Sequence, residues 1–476
     1  MRPAIVALFS LSFANLLFSQ MQNPIATTQL KPLSPELRNQ LIALRDAALN
    51  DEYTYEQTAH LTDNIGPRPV GSVQAQGAVE YVADQLRRLG LDVQLEEIKV
   101  PHWIRGTETA ELVDYPGQIP GVTQKIVLTA LGGTVPTSPS GVTAEVVVAR
   151  SFEDLTTLGR DKVAGKIVLL NFPFDKKKAT NGLALEAYEE AVAYRSRGPK
   201  AAAELGAAAC LIRSVGGADY RLPHTGFSVP AGIPAAAVTS EDGDLIARLA
   251  AQGRIHMHLT LTSETGPDTI SYNVIGDLKG GEHPEQVVIV SGHLDSWDLG
   301  TGALDDATGV AVAMETAHLV QQLHLHSRRT IRVIAWMDEE NGGRGRAAYA
   351  KEHAAELPNH CAALESDLGA AHPFGFEAKI SPDALPLLKP VQEILQSFGA
   401  NLIHLTARSP AADIALLAQA GVPAFGIMQD GRTYFNYHHT AADTLDKIEP
   451  RELRENAAAM AVMGYALANL PEPLPR

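Results

Sequence analysis

From residue 287 to the C-terminus, short apolar runs alternate with segments of helical spacing. VVIVS, TIRVIAWM, AALES and PAFGIM read as strands; between them Val312, Leu319 and Leu323, then Leu385, Leu388, Leu395 and Phe398, recur at helical intervals. Apolar runs without polar alternation suit strands buried on both faces, so these βα units predict a largely parallel sheet covered by helices. Upstream, Val79, Val82, Leu86 and Leu89 mark a helix within residues 73–89, Gly90 stops it, and Leu91, Val93 and Leu95 alternate as a strand. Between about residues 116 and 266 the texture changes to short β-rich runs, KIVLTAL, AEVVVA and KIVLL, separated by Gly, Pro and Ser and interrupted by one helical stretch, PKAAAELGA. The pattern therefore predicts an α/β domain in two parts, residues 20–115 and 267–476, split by a β-rich insertion at 116–266. No repeat with a period of 20 to 50 residues and no low-complexity tract interrupts it.

The 476 residues supply ample material for a core, and 45% apolar with 20% charged residues is the balance of a folded soluble chain. Residues 2–18, RPAIVALFSLSFANLLF, place one Arg before an apolar run shorter than the ~20 residues of a membrane span. Polar residues follow, so residues 1–19 are expected to be a signal peptide ending near Ser19, giving a secreted or periplasmic protein with no stable membrane insertion after removal. Lys and Arg number 39 against 55 Asp and Glu, and the net charge of −16 would repel a phosphate backbone, which excludes nucleic acid as a partner class. The same balance serves plain solubility or cation binding. With two cysteines, Cys210 and Cys361, no disulfide framework is expected, and both read as buried small hydrophobes.

Candidate chemistry gathers where predicted strands end. VVIVS runs into Gly292-His293-Leu294-Asp295; Asp305-Asp306 stands in GALDDATG; Glu339-Glu340 follows TIRVIAWM; Asp367 follows AALES; His439 lies in HHTAADT. Carboxyl ends of parallel strands are where open α/β sheets bind ligands. Each motif alone has a bland alternative, a solvated loop carboxylate or a surface histidine pair, but their joint placement favours a metal site. Imidazole and carboxylate without thiolate suit zinc, with cobalt or manganese as substitutes. Two His and several carboxylates exceed the needs of one tetrahedral ion and fit two ions about 3.5–4 Å apart. Asp295 is placed to accept the second N–H of His293, and of the adjacent Glu339 and Glu340 one can bind metal while the other moves protons.

Taken together, GHLDS, GALDDATG, DEENGG, ESD and HHTAADT resemble the motif series of the co-catalytic zinc aminopeptidase family, from about residue 55 to the C-terminus. LTDNIGPRPVGS, VPHWIRG and GHLDSWDLGTGALDD are most similar to its plasma glutamate carboxypeptidase (carboxypeptidase Q) branch. The resemblance implies an α/β, phosphorylase/hydrolase-like zinc-peptidase sandwich with a mostly parallel central sheet. It also implies that the insertion, with VAGKIVLL and IPAAAVTS, is a protease-associated domain. Carried over residue by residue, it implies that His293 and Asp367 hold one zinc, Glu340 and His439 the other, that Asp305 bridges them, and that Glu339 is the general base. Asp305 is chosen over Asp306 by the family's GAxDDxxG register, and His439 over His438 because the family's ligand precedes T-x-x-D-T. ARSPAADIALL departs from the Gly-Thr-Asp or Ser-Asp-His element common near the substrate in relatives, leaving Asp413 as a candidate there.

The function so implied is an exported, zinc-dependent aminopeptidase or dipeptidase, a metallo-exopeptidase that hydrolyses short peptides through a metal-bridged water with a Glu base; a homodimer fits the family. Two other readings remain on the sequence: a glutaminyl cyclase-like zinc acyltransferase, expected to bind one zinc, and a catalytically inactive receptor-like binding protein. The full ligand set and Glu339 argue against the latter.

Overall fold

The computed structural model describes residues 33–476, so the expected signal segment lies outside the described residues. Two eight-stranded sheets organise the chain into a mixed α/β fold. In the first, the strands run in the order Asp92–Ile104, Glu264–Leu278, Arg329–Trp336, His283–His293, His360–Glu365, Ala424–Gln429, Pro373–Lys379 and Leu402–Leu405. The four strands from Arg329–Trp336 to Ala424–Gln429 are mutually parallel, whereas Asp92–Ile104 pairs with Glu264–Leu278, and Pro373–Lys379 with Ala424–Gln429, antiparallel. The expected parallel sheet is thus a parallel centre with mixed flanks. Alternation is weak in the central strands because both faces are covered: Val288 and Val290 pack into one apolar cluster, Val287 and Ile289 into another.

The predicted helix over 73–89 is Val73–Arg88, capped by the Ser72 hydroxyl, which accepts from the Ala75 amide. Helix Thr308–Gln322 packs on one face of the sheet with Pro35–Ala48 and Pro450–Asn469. The last of these is buried on all sides and rich in Ala, which lets it lie close to its neighbours without an amphipathic stripe that periodicity would register.

The second sheet runs Gln124–Ile126, Glu108–Asp114, His256–Leu261, Val142–Ala149, Ile167–Leu170, Ala209–Arg213, Ala235–Val238 and Leu128–Ala130. It begins earlier than residue 116: Glu108–Asp114 pairs with His256–Leu261, and nothing in the alternation of ETAELVD separates it from the strand before. Glu264–Leu278 returns the chain to the first sheet. The region also holds more helix than one stretch, with Phe152–Val163, Lys176–Thr180, Ala184–Glu204 and Ser240–Ala250. Ala184–Glu204 keeps both Gly198 and Pro199 in its interior, where Gly198 lets Leu170 pack close: a Cβ there would lie 2.4 Å from Leu170 Cδ1. Both cysteines are free and buried, Cys210 in Ala209–Arg213 and Cys361 in His360–Glu365. Among the described residues no helix is long and apolar enough to cross a membrane.

One buried group works against this core. Glu315, on Thr308–Gln322, is fully buried with neither carboxylate oxygen hydrogen-bonded, and burial followed by the Asp51 charge pushes its pKa to about 8 from 4.5. Between those values the folded chain holds a proton that the unfolded chain releases, so stability falls as pH rises through the interval and levels off above it. Glu315→Gln should raise stability at pH 8 by a few kcal/mol and flatten its decline from pH 5 to 8. Urea unfolding at several pH values checks this; an unchanged pH slope would show that Glu315 does not titrate as described.

Candidate metal centre

The carboxyl ends of the four parallel strands lie along one edge, and the residues that leave them carry the chemistry. His293 ends its strand; Asp338, Glu339 and Glu340 come just after Arg329–Trp336; Asp367 follows His360–Glu365; the loop beyond Ala424–Gln429 leads to His438 and His439. Parallel pairing aligns these ends, which is how residues far apart in sequence meet. Glycines make room for the meeting: a Cβ on Gly292 would lie 2.4 Å from Gly309 C, and one on Gly309 would lie 2.0 Å from Ser366 O.

Asp305 is central. Its Oδ1 lies 3.0 Å from His293 Nε2 and its Oδ2 lies 3.1 Å from His439 Nε2. Asp367 Oδ1 stands 3.3 Å from the same nitrogen of His293, and Glu340 Oε2 3.0 Å from that of His439. Among the described residues three groups have donor atoms within 4.8 Å of one another: His293 with Asp306 and Asp367, Asp305 with Glu340 and His439, and His224 with His438 and His439. Asp306 is occupied otherwise: its Oδ2 accepts from the His293 amide at 3.0 Å and its Oδ1 from the Gly309 amide at 2.9 Å. Asp305 is therefore the carboxylate that faces both imidazoles. His438 Nε2 also lies 3.4 Å from Asp305 Oδ2, but only His439 meets Glu340 as well.

The side chains of this cluster set one another's charge. Burial pushes Glu340 up to about 8 and Asp367 to about 6, while the Glu340 and Asp305 charges overcome burial to hold His439 up at about 9. Glu340 Oε1 is buried without a hydrogen-bond partner, and Asp305 Oδ2 makes no well-aligned hydrogen bond although the Nε2 atoms of His439 and His438 stand 3.1 and 3.4 Å away. Nitrogen and carboxylate donors with no thiolate, plus an orphaned buried oxygen, fit divalent ions of the zinc type.

The surroundings correct one expectation. Nδ1 of His293 meets the Asp295 main-chain carbonyl at 2.9 Å, whereas the Asp295 carboxylate is 3.9 Å away. That carboxylate instead accepts from the amides of Asp338 at 2.9 Å, Glu339 at 3.2 Å and Glu340 at 3.3 Å. Three amides of a turn converge on one acceptor, so Asp295 fixes the Glu339-Glu340 pair rather than the imidazole. Glu339 is partly exposed, with its Oε1 3.6 Å from Arg346 Nη1. Asp413 does not join the cluster: it is buried behind Arg346, at 3.4 Å.

Other supports carry no metal-like signature in the sequence. Arg68, fully buried in GPRPVG, donates to the carbonyls of Leu294, Thr301 and Gly302 at 2.8 Å, tying the GHLD and GALDD loops together. Asp443 accepts from the Leu304 amide at 2.7 Å, and the Trp297 indole donates to Glu340 Oε2 at 2.5 Å. From the second sheet's side, His224 Nε2 reaches His438 Nδ1 at 3.1 Å. Arg68 and Asp443 fall within the motifs quoted above, and their presence there was the signal available; His224 had none.

The sequence pattern of peptidase family M28 matches residues 273–463. Carboxypeptidase Q from Bos taurus is 38% identical over 430 residues, which cover 89% of this chain and 87% of that protein. Among solved structures, a Peptidase M28 precursor from Shewanella amazonensis SB2B superposes with a TM-score of 0.87 at 35% identity, covering 93% of this chain and 98% of its own. A zinc aminopeptidase from Bacillus subtilis shares the fold, with a TM-score of 0.64 at 22% identity over 88% of this chain and 96% of its own.

Proposed function

Because the chain belongs to peptidase family M28, we propose that it is an exported, zinc-dependent exopeptidase that removes single residues from short peptides. One observation carries this reading: a buried carboxylate, Asp305, presents one oxygen to each of two imidazoles, with Asp367 and Glu340 flanking them. In it, His293 and Asp367 would hold one zinc and Glu340 and His439 the second, with Asp305 shared between them and cobalt or manganese as substitutes. Bound there, the ions supply Lewis-acid charge that polarises a carbonyl and lowers the pKa of water.

Glu339 takes the proton of the attacking water and passes it to the leaving amine. Two features support the assignment. Its neighbour Glu340 is committed to His439 and Trp297, and Glu339 itself is the partly exposed member of the pair, its main chain fixed by Asp295. Asp295 thus acts on the reaction through the turn that it holds. A cavity of about 200 Å³, lined by Val70, Trp103, Ile104 and Trp297 with the Arg105–Asp298 ion pair at one corner, supports a subsite for an apolar side chain. We read the second sheet as a protease-associated domain inserted into the peptidase domain, residues 1–19 as a signal for secretion or export to the periplasm, and the protein as a homodimer. Residues 2–18, the two-sheet topology and the family support these readings.

Glu339→Gln should keep two zinc ions per chain and lower kcat about 10²- to 10⁴-fold; near-normal turnover would remove Glu339 as the base. Asp305→Ala should lose at least one ion by elemental analysis, since both positions share it; full zinc content would assign the bridge elsewhere. Product analysis with dipeptides, longer peptides and their N-acetylated forms tests the whole reading. Cleavage of free-amine peptides from the N-terminus is expected. Equal cleavage of blocked peptides would overturn it, and one zinc with cyclised products would favour the acyltransferase.

A further inference from the structure

Besides the His224–His438 contact, the second sheet meets the candidate centre at a hydrogen-bonded seam beside His439. In the loop after Ala209–Arg213, the Thr225 amide donates to the His439 carbonyl at 3.0 Å, and the Thr225 carbonyl lies 3.3 Å from His439 Nδ1. His439 is thereby gripped at both backbone and ring. Its backbone needs the grip, having a φ of 59°, a region that non-glycine residues adopt at a cost. With Nε2 facing Glu340 and Asp305, the Nδ1–H has Thr225 O as its acceptor, the arrangement that fixes an imidazole's tautomer and aim.

Thr225 is held in turn by Arg195, on helix Ala184–Glu204. Arg195 Nη1 donates to Thr225 O at 3.3 Å and to Tyr188 Oη at 2.8 Å, and lies 3.3 Å from His439 Nδ1. Tyr188 stacks on Phe435, 4.3 Å between ring centroids, four residues before His439. Arg195 is 6% exposed, with a buried Nε that has no partner. Gly226 leaves it space, since a Cβ there would lie 2.4 Å from Arg195 Cζ. By contrast, the supports of His293, the Asp295 carbonyl and the Asp306 carboxylate, lie in the first sheet's own loops.

We propose that the second sheet is a structural part of one metal position and not of the other: Arg195, through Thr225, positions His439, so the Asp305–Glu340–His439 position depends on the inserted region while the His293–Asp367 position does not. The inference rests on the metallopeptidase reading above. Arg195 is a positioning residue here, acting through a main-chain carbonyl.

Zinc retention against a graded chelator, followed by elemental analysis, tests this on the full chain. The parent should lose its ions in two steps. In Arg195→Met one step should move to about 10- to 100-fold weaker binding and the other should stay. Tyr188→Phe, which keeps the stack on Phe435 and removes the hydroxyl, should shift the same step less, and Arg195→Lys should restore part of the loss. Both steps unmoved in Arg195→Met and Tyr188→Phe, or both moved equally in folded protein, would overturn the inference. A parent that holds no zinc would instead overturn the metallopeptidase reading. If Arg195→Met fails to fold, Tyr188→Phe decides alone.

Discussion

Packing several carboxylates onto one buried sheet edge is the constraint from which the rest follows. Asp295, Asp305, Asp306, Glu340 and Asp443 are all buried, and each unpaired charge taken from water costs several kcal/mol. The chain meets this cost in two ways. Asp295, Asp306 and Asp443 are spent on backbone amides, which converts them into anchors for loops. Asp305 faces imidazole nitrogens, and Glu340 retains an oxygen with no hydrogen-bond partner, which directs both to cations. The division of adjacent residues between these fates, Asp306 to the backbone and Asp305 to the imidazoles, is what separates a support from a ligand.

Rigidity then comes from the loops being tied to each other rather than to solvent. Arg68 carries the clearest example. Its guanidinium joins carbonyls from the segments around Leu294 and Gly302, and burial lowers its pKa only to about 10, so it stays charged at neutral pH beside Asp443, Asp295 and Asp306. A cation fixed beside the acidic residues offsets part of the carboxylate repulsion. Arg346 repeats the device between Glu339 and Asp413.

By itself, the sequence determined the strand ends and their contents. Short, β-branched apolar runs such as VVIVS suit strands buried on both faces, and residues leaving parallel strands share an edge, so His293, Glu339, Glu340 and Asp367 were legible as neighbours. The helix over 73–89 was legible for the same reason, since local periodicity reports burial directly. Tertiary structure alone decided which atom does what. A spacing of two residues cannot tell the Asp295 carbonyl from its carboxylate, and only the turn at 338–340, closing over it, assigned the carboxylate to three amides. The start of the second sheet at Glu108, the contact of His224 with His438 and the grip of Thr225 on His439 were beyond the sequence as well. They are long-range pairings between surfaces that meet after folding, and neither hydrophobic period nor residue type changes at the positions that make them.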